Sequence, residues 1–562
     1  MVEGFQAGVF AEGERYAEGG GGQSMIPPRA FLRMCRRNLR RRKLADSTGE
    51  VLDGAGLLLR TLILRRLLRR HVLRPDERNV GLLLPPSIPA ALANAALSID
   101  GRVPVNLNYT LTSAVLNECL QRARIRHVIT SRRVLEKFPL DLRAETVYLE
   151  DLRGKVRLTD KLAAVVQARL VPIGILERRL GLTRLGPDDL LTVIFTSGST
   201  GTPKGVMISQ GNLATNVEAF CRVLHLDQRD VLLGVLPFFH AFGFTTTLWT
   251  ALMLDPSAVY HYTPLEAQQI GKLCSRQGAT VMVVTPTFLR SYLRRCEVGD
   301  FASVEMIISG AEKLPKELAD AFEARFGVRP YQGYGTTELS PVVSTNVPPQ
   351  RMTGGSQPGF KEGTVGRPLP GISAKVVHLQ TGEDLGPEQS GMLMVKGPNV
   401  MRGYLDEPQL TSQVIRDGWY KTGDVAMIDR DGFIHITGRE SRFSKIGGEM
   451  VPHLRIEEAL NRMLSVDEDR ISLVVTAVPD ARRGERLIVL HTGLDQPPEA
   501  ICRHLASVGL PPLWIPSPDS FYRVEAIPVL GTGKLDLKRV KELALALAEH
   551  HGQVYTINVN GG

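Results

Sequence analysis

"FTSGSTGTPKGVMIS" (195–209) is the stretch whose reading decides the fold. The run "LLTVIF" reads as a strand, and it delivers the chain into T-S-G-S-T-G-T-P-K-G. Gly198, Gly201 and Gly205 permit close backbone approach and positive φ. Successive backbone N–H groups in such a run form an anion-binding nest. Thr196, Ser197, Ser199, Thr200 and Thr202 add hydroxyl donors, and Lys204 adds a point charge. The spacing matches neither G-x-x-x-x-G-K-[ST] nor G-x-G-x-x-G, so the loop belongs to neither standard nucleotide signature. The competing reading is a polar turn between a strand and a helix, and the length of the run favours phosphate.

Outward from the loop, short β-like runs alternate with helix-like ones: "VGLLLPP", "SIPAALANAAL", "RHVITS", "DVLLGVLPFF", "TVMVVTP" and "VEMIISG". Such alternation implies sheets of parallel strands covered by helices, an α/β architecture. After about residue 365 glycines multiply and strands shorten, which suits a small β-rich subdomain over about 365–437. From 441 onward "HLRIEEALNRML" reads as a helix and "ISLVVTAVP" and "LIVLHTGL" as strands, a small α+β domain. The expected organisation is therefore a leader over 1–24, Gly- and Glu-rich and flexible, an N-terminal domain over 25–440 and a C-terminal domain over 441–562.

Composition bounds the function classes. The chain has 562 residues, 43% hydrophobic and 23% charged, as expected of a globular protein with sizeable cores. Six cysteines form no C-x-x-C pair, which argues against a disulfide framework or a cysteine-rich zinc site and for a reducing, cytoplasmic setting. The net charge of +9 is concentrated over 29–78, where fourteen Arg and one Lys face five acids. A basic flank on a nearly neutral body points to an acidic partner or the anionic inner face of a membrane, not to nucleic acid. Within it "LLLRTLILRRLLRRHV" (57–72) reads as a helix with Leu57, Leu64, Leu67, Leu68 and Val72 on one face. The pattern H-x-x-x-x-D in "HVLRPD" (71–76) is shared with lysophospholipid acyltransferases, but too few residues precede it for that domain.

The loop and three later motifs, "YQGYGTTELSP" (331–341), "GWYKTGDVAMIDRDGFIHITGR" (418–439) and "PVLGTGK" (528–534), resemble in order the signatures of the acyl-adenylate-forming synthetase superfamily. That resemblance implies ATP and Mg²⁺ as the nucleotide and metal. It places Thr196 to Lys204 on the β- and γ-phosphates and Thr337 on the α-phosphate. Glu338 would bind Mg²⁺, carboxylate oxygen being the ligand type that ion prefers. Tyr334, with Gly335 beside it, would stack on adenine, and "GAEKL" (310–314) matches the adenine-facing segment at Gly310, Ala311 and Glu312. Asp424 suits the ribose hydroxyls, supported by Arg439.

Lys534 is the candidate for the first half-reaction, its ammonium lying between the attacking carboxylate and the α-phosphate. For the second, the family's C-terminal domain swings about a hinge that falls at Ser441, where Asp or Lys is usual, and Lys445 matches the lysine of the alternate face. "RFSKIGGEMVPHLRIEEAL", "VLPFFHAFGFTTTLW" and "TPTFLRSYLRR" resemble the acyl-carrier-protein synthetase half of the bifunctional lysophospholipid acyltransferase/synthetase. The acid implied is a long-chain fatty acid and the acceptor the phosphopantetheine thiol of acyl-carrier protein, with CoA, as in acyl-CoA synthetases, the alternative. A lipid- or adenylate-binding module without catalysis is the third reading, against which stands the presence of every catalytic motif. His240 sits at the acyl-pocket entrance of that family, and Phe238, Phe239, Phe242 and Phe244 are candidates for an apolar tunnel.

Overall fold

A computed structural model describes residues 25–197, 203–352, 359–447, 449–464, 472–480, 482–529 and 535–549. The described residues form two compact units, one comprising 25–197, 203–422 and 427–435, the other 423–426 and 436–549.

The first unit is built on a nine-stranded sheet. Its centre runs Pro330–Gly335, Met306–Ser309, Val281–Val284, Val231–Gly234, Ser257–Tyr260 and Arg42–Asp46, all in parallel. These strands read as continuous apolar runs because both faces are covered, as parallel sheets require. Val231–Gly234, Ser257–Tyr260, Val281–Val284 and Met306–Ser309 are buried at every position. A second, wholly parallel sheet orders Val103–Asn106, Asn79–Leu82, His127–Thr130 and Glu145–Tyr148.

The strand before the loop is followed by a second strand, not directly by a helix. Leu190–Ser197 pairs antiparallel with Pro203–Ser209, with Thr196 opposite Lys204 and Ser197 opposite Pro203. The chain therefore returns as a hairpin before the helix Gln210–Val223 begins. Gly205 serves packing: a Cβ there would meet Val193 Cγ1 at 3.0 Å and Leu405 Cβ at 3.1 Å.

The Arg-rich segment forms the helix Gly54–His71, which buries Leu57, Leu58, Thr61, Leu62, Leu67 and Leu68. Leu64 and Val72 are only half-buried, so the inner face lies partly round from the expected one. Its arginines are used within the fold. Arg65 pairs with Asp100 at 2.8 Å, and Arg66 and Arg70 with Asp160 at 3.3 and 2.8 Å. Arg29 and Arg33 hold Glu177 at 3.0 and 2.7 Å. Arg36 donates to the carbonyls of Gln167 and Val171. The compositional surplus thus stitches the N-terminal helices to the 158–180 region and leaves much less free positive surface than a count implies.

The second unit centres on Leu473–Asp480 and Gly484–His491, paired antiparallel, with Phe521–Arg523 alongside. Period-two alternation sorts its core. Leu473, Val475, Leu487 and Val489 face Ile456, Leu460, Ile501 and Leu505, while Val474, Val478, Ile488 and Leu490 face Val540 and Ala544. His453 is buried, with Nε2 2.7 Å from Ser444 Oγ. Burial and the charges of Arg442 and Lys541 lower its pKa to about 3. The folded state thus excludes a proton that the unfolded chain takes up below about pH 6.5. This contribution is complete above about pH 6.5 and is lost as pH falls toward about 3, at up to about 1.4 kcal/mol per pH unit. The pKa of buried Glu457 is raised by burial, which acts in the opposite sense. Urea melts of the wild type and His453→Gln are therefore compared. The wild type is expected to lose more stability between about pH 7 and about pH 5, and parallel curves would remove His453 from the account.

Candidate active site

The candidate residues of the first unit gather where parallel strands end, the place where open α/β sheets bind ligands. Met306–Ser309 runs into Gly310, Ala311 and Glu312, and the adjacent Pro330–Gly335 runs into Thr337 and Glu338. Register places Ser309 beside Gln332, so the two strand ends leave the sheet together. Gly335 is required sterically, since a Cβ there would lie 2.0 Å from the Pro341 carbonyl oxygen. Ala311 holds φ at 68°, a conformation that few side chains tolerate. Glu312 does not aim its carboxylate into open space: it accepts from the Thr287 backbone N–H at 3.2 Å and Oγ1 at 2.7 Å. Its side chain ties this segment to the start of the helix Pro286–Arg295.

Gly310, Gly333, Tyr334 and Phe242 line a small cavity with Phe220 and Ile308, about 50 Å³ in volume. The lining is nearly all apolar, so the cavity suits a flat ring or an aliphatic tail better than a charged group. Phe242 closes one side, its ring 3.1 Å from where a Cβ on Gly310 would stand. The other three phenylalanines of "LPFFHAFGF" are core. Phe238 packs edge-on against Tyr260, Phe239 against Tyr109, and Phe244 against Trp249. His240 is exposed beside the Phe239 ring, with centroids 4.5 Å apart. The following Phe244–Trp249 segment is a π-helix, a form frequent at functional sites. Thr245 anchors it by donating to the Ser340 carbonyl at 2.9 Å.

Glu338 is half-buried, and one partner holds it from a segment sequence reading passed over: Tyr404 Oη donates to its Oε1 at 2.9 Å. Tyr404 belongs to the two-residue strand Gly403–Tyr404, which pairs with the lysine-bearing arm of the hairpin. Lys204 Nζ lies 5.5 Å from the centroid of the Tyr404 ring. Burial and the neighbouring Glu338 charge raise the Tyr404 pKa well above its ordinary value, so the phenol remains a donor. Tyr420 is raised further, first by burial and then by Glu338. Asn216, 1% exposed, clamps the turn after Glu338 by donating to the Val342 carbonyl and accepting its N–H. Neither Tyr404 nor Asn216 carries a local sequence signal, because each acts on a segment distant in the chain.

Thr196 and Lys204 sit opposite each other at the top of the hairpin, with the backbone of Ser197 beyond. Gly198, Ser199, Thr200, Gly201 and Thr202 lie outside the described residues, as does Lys534. In the second unit Arg439 Nε donates to Asp424 Oδ1 at 2.6 Å, and the Asp424 side chain is buried while the arginine is exposed. Lys445 is exposed on the strand Phe443–Ile446, its backbone N–H bound by Glu485 at 2.7 Å. Ser441 is exposed in the 3₁₀ turn Glu440–Arg442. The residues present fit a nucleotide polyphosphate and a hard cation: an oriented carboxylate, a lysine nearby, and a strand end where only glycine fits.

Parallel strands whose ends carry these groups beside an apolar cavity define an α/β protein. A family model described as AMP-binding enzyme matches residues 33–405, and the chain belongs to that family. A long-chain-fatty-acid–CoA ligase of Bacillus subtilis (strain 168) is 31% identical over 374 residues, 65% of this chain and 63% of that protein. The chain thus matches less than two thirds of that relative's length. 4-Coumarate–CoA ligase 1 of Arabidopsis thaliana is 28% identical over 435 residues, 74% of each. The crystal structure of ATP-bound MatB from Rhodopseudomonas palustris is similar with a TM-score of 0.74 at 25% identity, over 92% of this chain and 98% of that one. The mixed α/β fold, a large N-terminal part followed by a smaller C-terminal one, is the same.

Proposed function

We propose that this chain is an AMP-forming acid–thiol ligase. A carboxylate oxygen attacks the α-phosphorus of ATP, the bond to the bridging oxygen breaks, and pyrophosphate departs. A thiol then attacks the acyl carbon and AMP leaves with the bonding electrons. The observation that carries this reading is the strand Pro330–Gly335, whose Tyr334 lines an apolar cavity and whose exit presents Glu338 to Tyr404, the ring that Lys204 approaches.

Both reactants of the first step are anions, so the protein must offset their repulsion and the charge gathered on the departing pyrophosphate. Thr196, Lys204 and the loop 198–202 hold the outer phosphates, and Thr337 donates to the inner one. Glu338 would hold Mg²⁺, which neutralises phosphate charge when bound. Tyr334 stacks on adenine beside Gly310 and Ala311, and Asp424, oriented by Arg439, accepts from the ribose hydroxyls. Lys534 lies between carboxylate and phosphate in the first step, and Lys445 serves the second.

The names of both curated relatives support CoA as the acceptor thiol. Carrier-protein phosphopantetheine stands beside it on the "RFSKIGGEMV" resemblance alone. A long-chain fatty acid is the acid proposed, on the apolar lining and the Bacillus relative's name. Mg·ATP and palmitate with either CoA or holo-carrier protein, followed by mass spectrometry, decide the matter. A thioester on CoA alone sets the acceptor, one on carrier protein alone reverses it, and no AMP release from either rejects the ligase reading.

An apolar cavity of roughly 150 Å³ takes a benzene ring, and the one here is about 50 Å³. An acyl tail therefore needs more room than this, and Phe242 closes one side. Phe242→Ala is expected to raise kcat/KM for palmitate relative to butyrate by about tenfold. An unchanged ratio would mean the tail does not pass this ring.

A further inference from the structure

We propose that the helix Leu158–Arg169 and the turn after it form a docking face for an anionic lipid bilayer, lying in the plane of the membrane surface. The helix is inverted relative to an ordinary surface helix. Its small and acidic residues, Asp160, Ala164 and Ala168, are the buried ones. Its large aliphatic residues point outward: Leu158 is 72% exposed, Leu162 58%, Val166 46% and Leu170 74%. Spacings of four, four and four residues put these on one stripe. Six of the thirteen exposed large hydrophobic residues among those described fall within 158–175. Chance scatter over the surface does not produce such a cluster, and a contiguous apolar patch of this kind marks an interaction site.

Charge selects the occupant. Between 153 and 184 eight cations are exposed, Lys155, Lys161 and Arg169 among them. The two acids of that span, Asp160 and Glu177, are buried. Each is held by two arginines from the N-terminal helices, Asp160 by Arg66 and Arg70, Glu177 by Arg29 and Arg33. Those four arginines more than offset the two buried carboxylates and brace the helix, and between 153 and 184 what faces out is aliphatic and cationic. A second copy of the chain would bring like charges together. A protein partner would be met by aromatic or arginine anchors in a pocket, whereas this face is a convex aliphatic stripe without an aromatic. Aliphatic side chains ringed by lysine and arginine are what an interfacial helix presents to anionic headgroups. The contact is thereby assigned to 158–175 and not to the Arg-rich 29–78 segment, several of whose arginines support it from behind.

Co-sedimentation of the full chain with vesicles tests the assignment, using phosphatidylcholine alone or phosphatidylcholine mixed with phosphatidylglycerol. The wild type is expected to bind the mixed vesicles, less so at high salt, and the neutral ones weakly. Leu162→Ser with Leu170→Ser is expected to weaken binding at least about tenfold. Lys161→Gln with Arg169→Gln should weaken it about 25-fold on mixed vesicles, each charge being worth roughly fivefold. Arg40→Gln with Arg74→Gln should alter binding far less. Circular dichroism checks that each variant folds, and the lysine–arginine pair stands if the leucine pair does not. Absence of binding to mixed vesicles, or equal binding by wild type and both 158–175 variants, overturns the proposal. So does a dimer, or a complex with holo-carrier protein, that the leucine variant alone abolishes while vesicles go unbound.

Discussion

Glu338→Gln is expected to slow adenylate formation by about 10²–10³-fold, the usual cost of removing one group that stabilises charge in a transition state. Glutamine preserves the volume, and its carbonyl still accepts from Tyr404 Oη, 2.9 Å away in the wild type. What it removes is the negative charge that would hold Mg²⁺ against the phosphates. The loss should therefore appear in pyrophosphate release and be accompanied by a higher Mg²⁺ requirement. Tyr404→Phe keeps the charge and removes only the hydrogen bond that aims it, so a smaller loss of about 10–100-fold is expected. Pyrophosphate release at several Mg²⁺ concentrations separates the two. Full activity in Glu338→Gln would make the carboxylate a purely structural partner of the tyrosine.

The second large effect concerns the two lysines. Lys534→Ala is expected to lose about 10²–10³-fold in adenylation while still forming thioester from a supplied acyl adenylate. Lys445→Ala should show the opposite selectivity, adenylating normally and transferring slowly. Lys445 stands exposed on its strand while the neighbouring backbone is fixed by Glu485, so truncating it leaves the fold intact. Single-turnover assays of each half-reaction measure both. If both variants lose the same half-reaction, the division of labour between them is misassigned.

Much of the fold was legible because apolar runs and periodicity are local properties. "TVMVVTP" and "VEMIISG" read as β-like runs, and they are the adjacent parallel pair Val281–Val284 and Met306–Ser309. "ISLVVTAVP" likewise reads as a strand, and it is Leu473–Asp480. The hairpin at 190–209 was not legible, since Gly-rich loops join strand to strand or strand to helix with the same residues. The internal pairing of the basic flank was hidden for a related reason. A charge count is blind to pairing, and Asp100, Asp160 and Glu177, which bind its arginines, lie 31 to 148 residues away.

The sequence by itself determined the motifs and their order, and therefore the family and the groups available for chemistry. Tertiary structure alone decided that Tyr404 orients Glu338, that one phenylalanine of four lines the cavity, and that the aliphatic face of 158–170 looks outward. The physical reason is the same in each case. A residue's type follows from its codon, but its partner, its burial and the direction it faces depend on segments brought together only by folding.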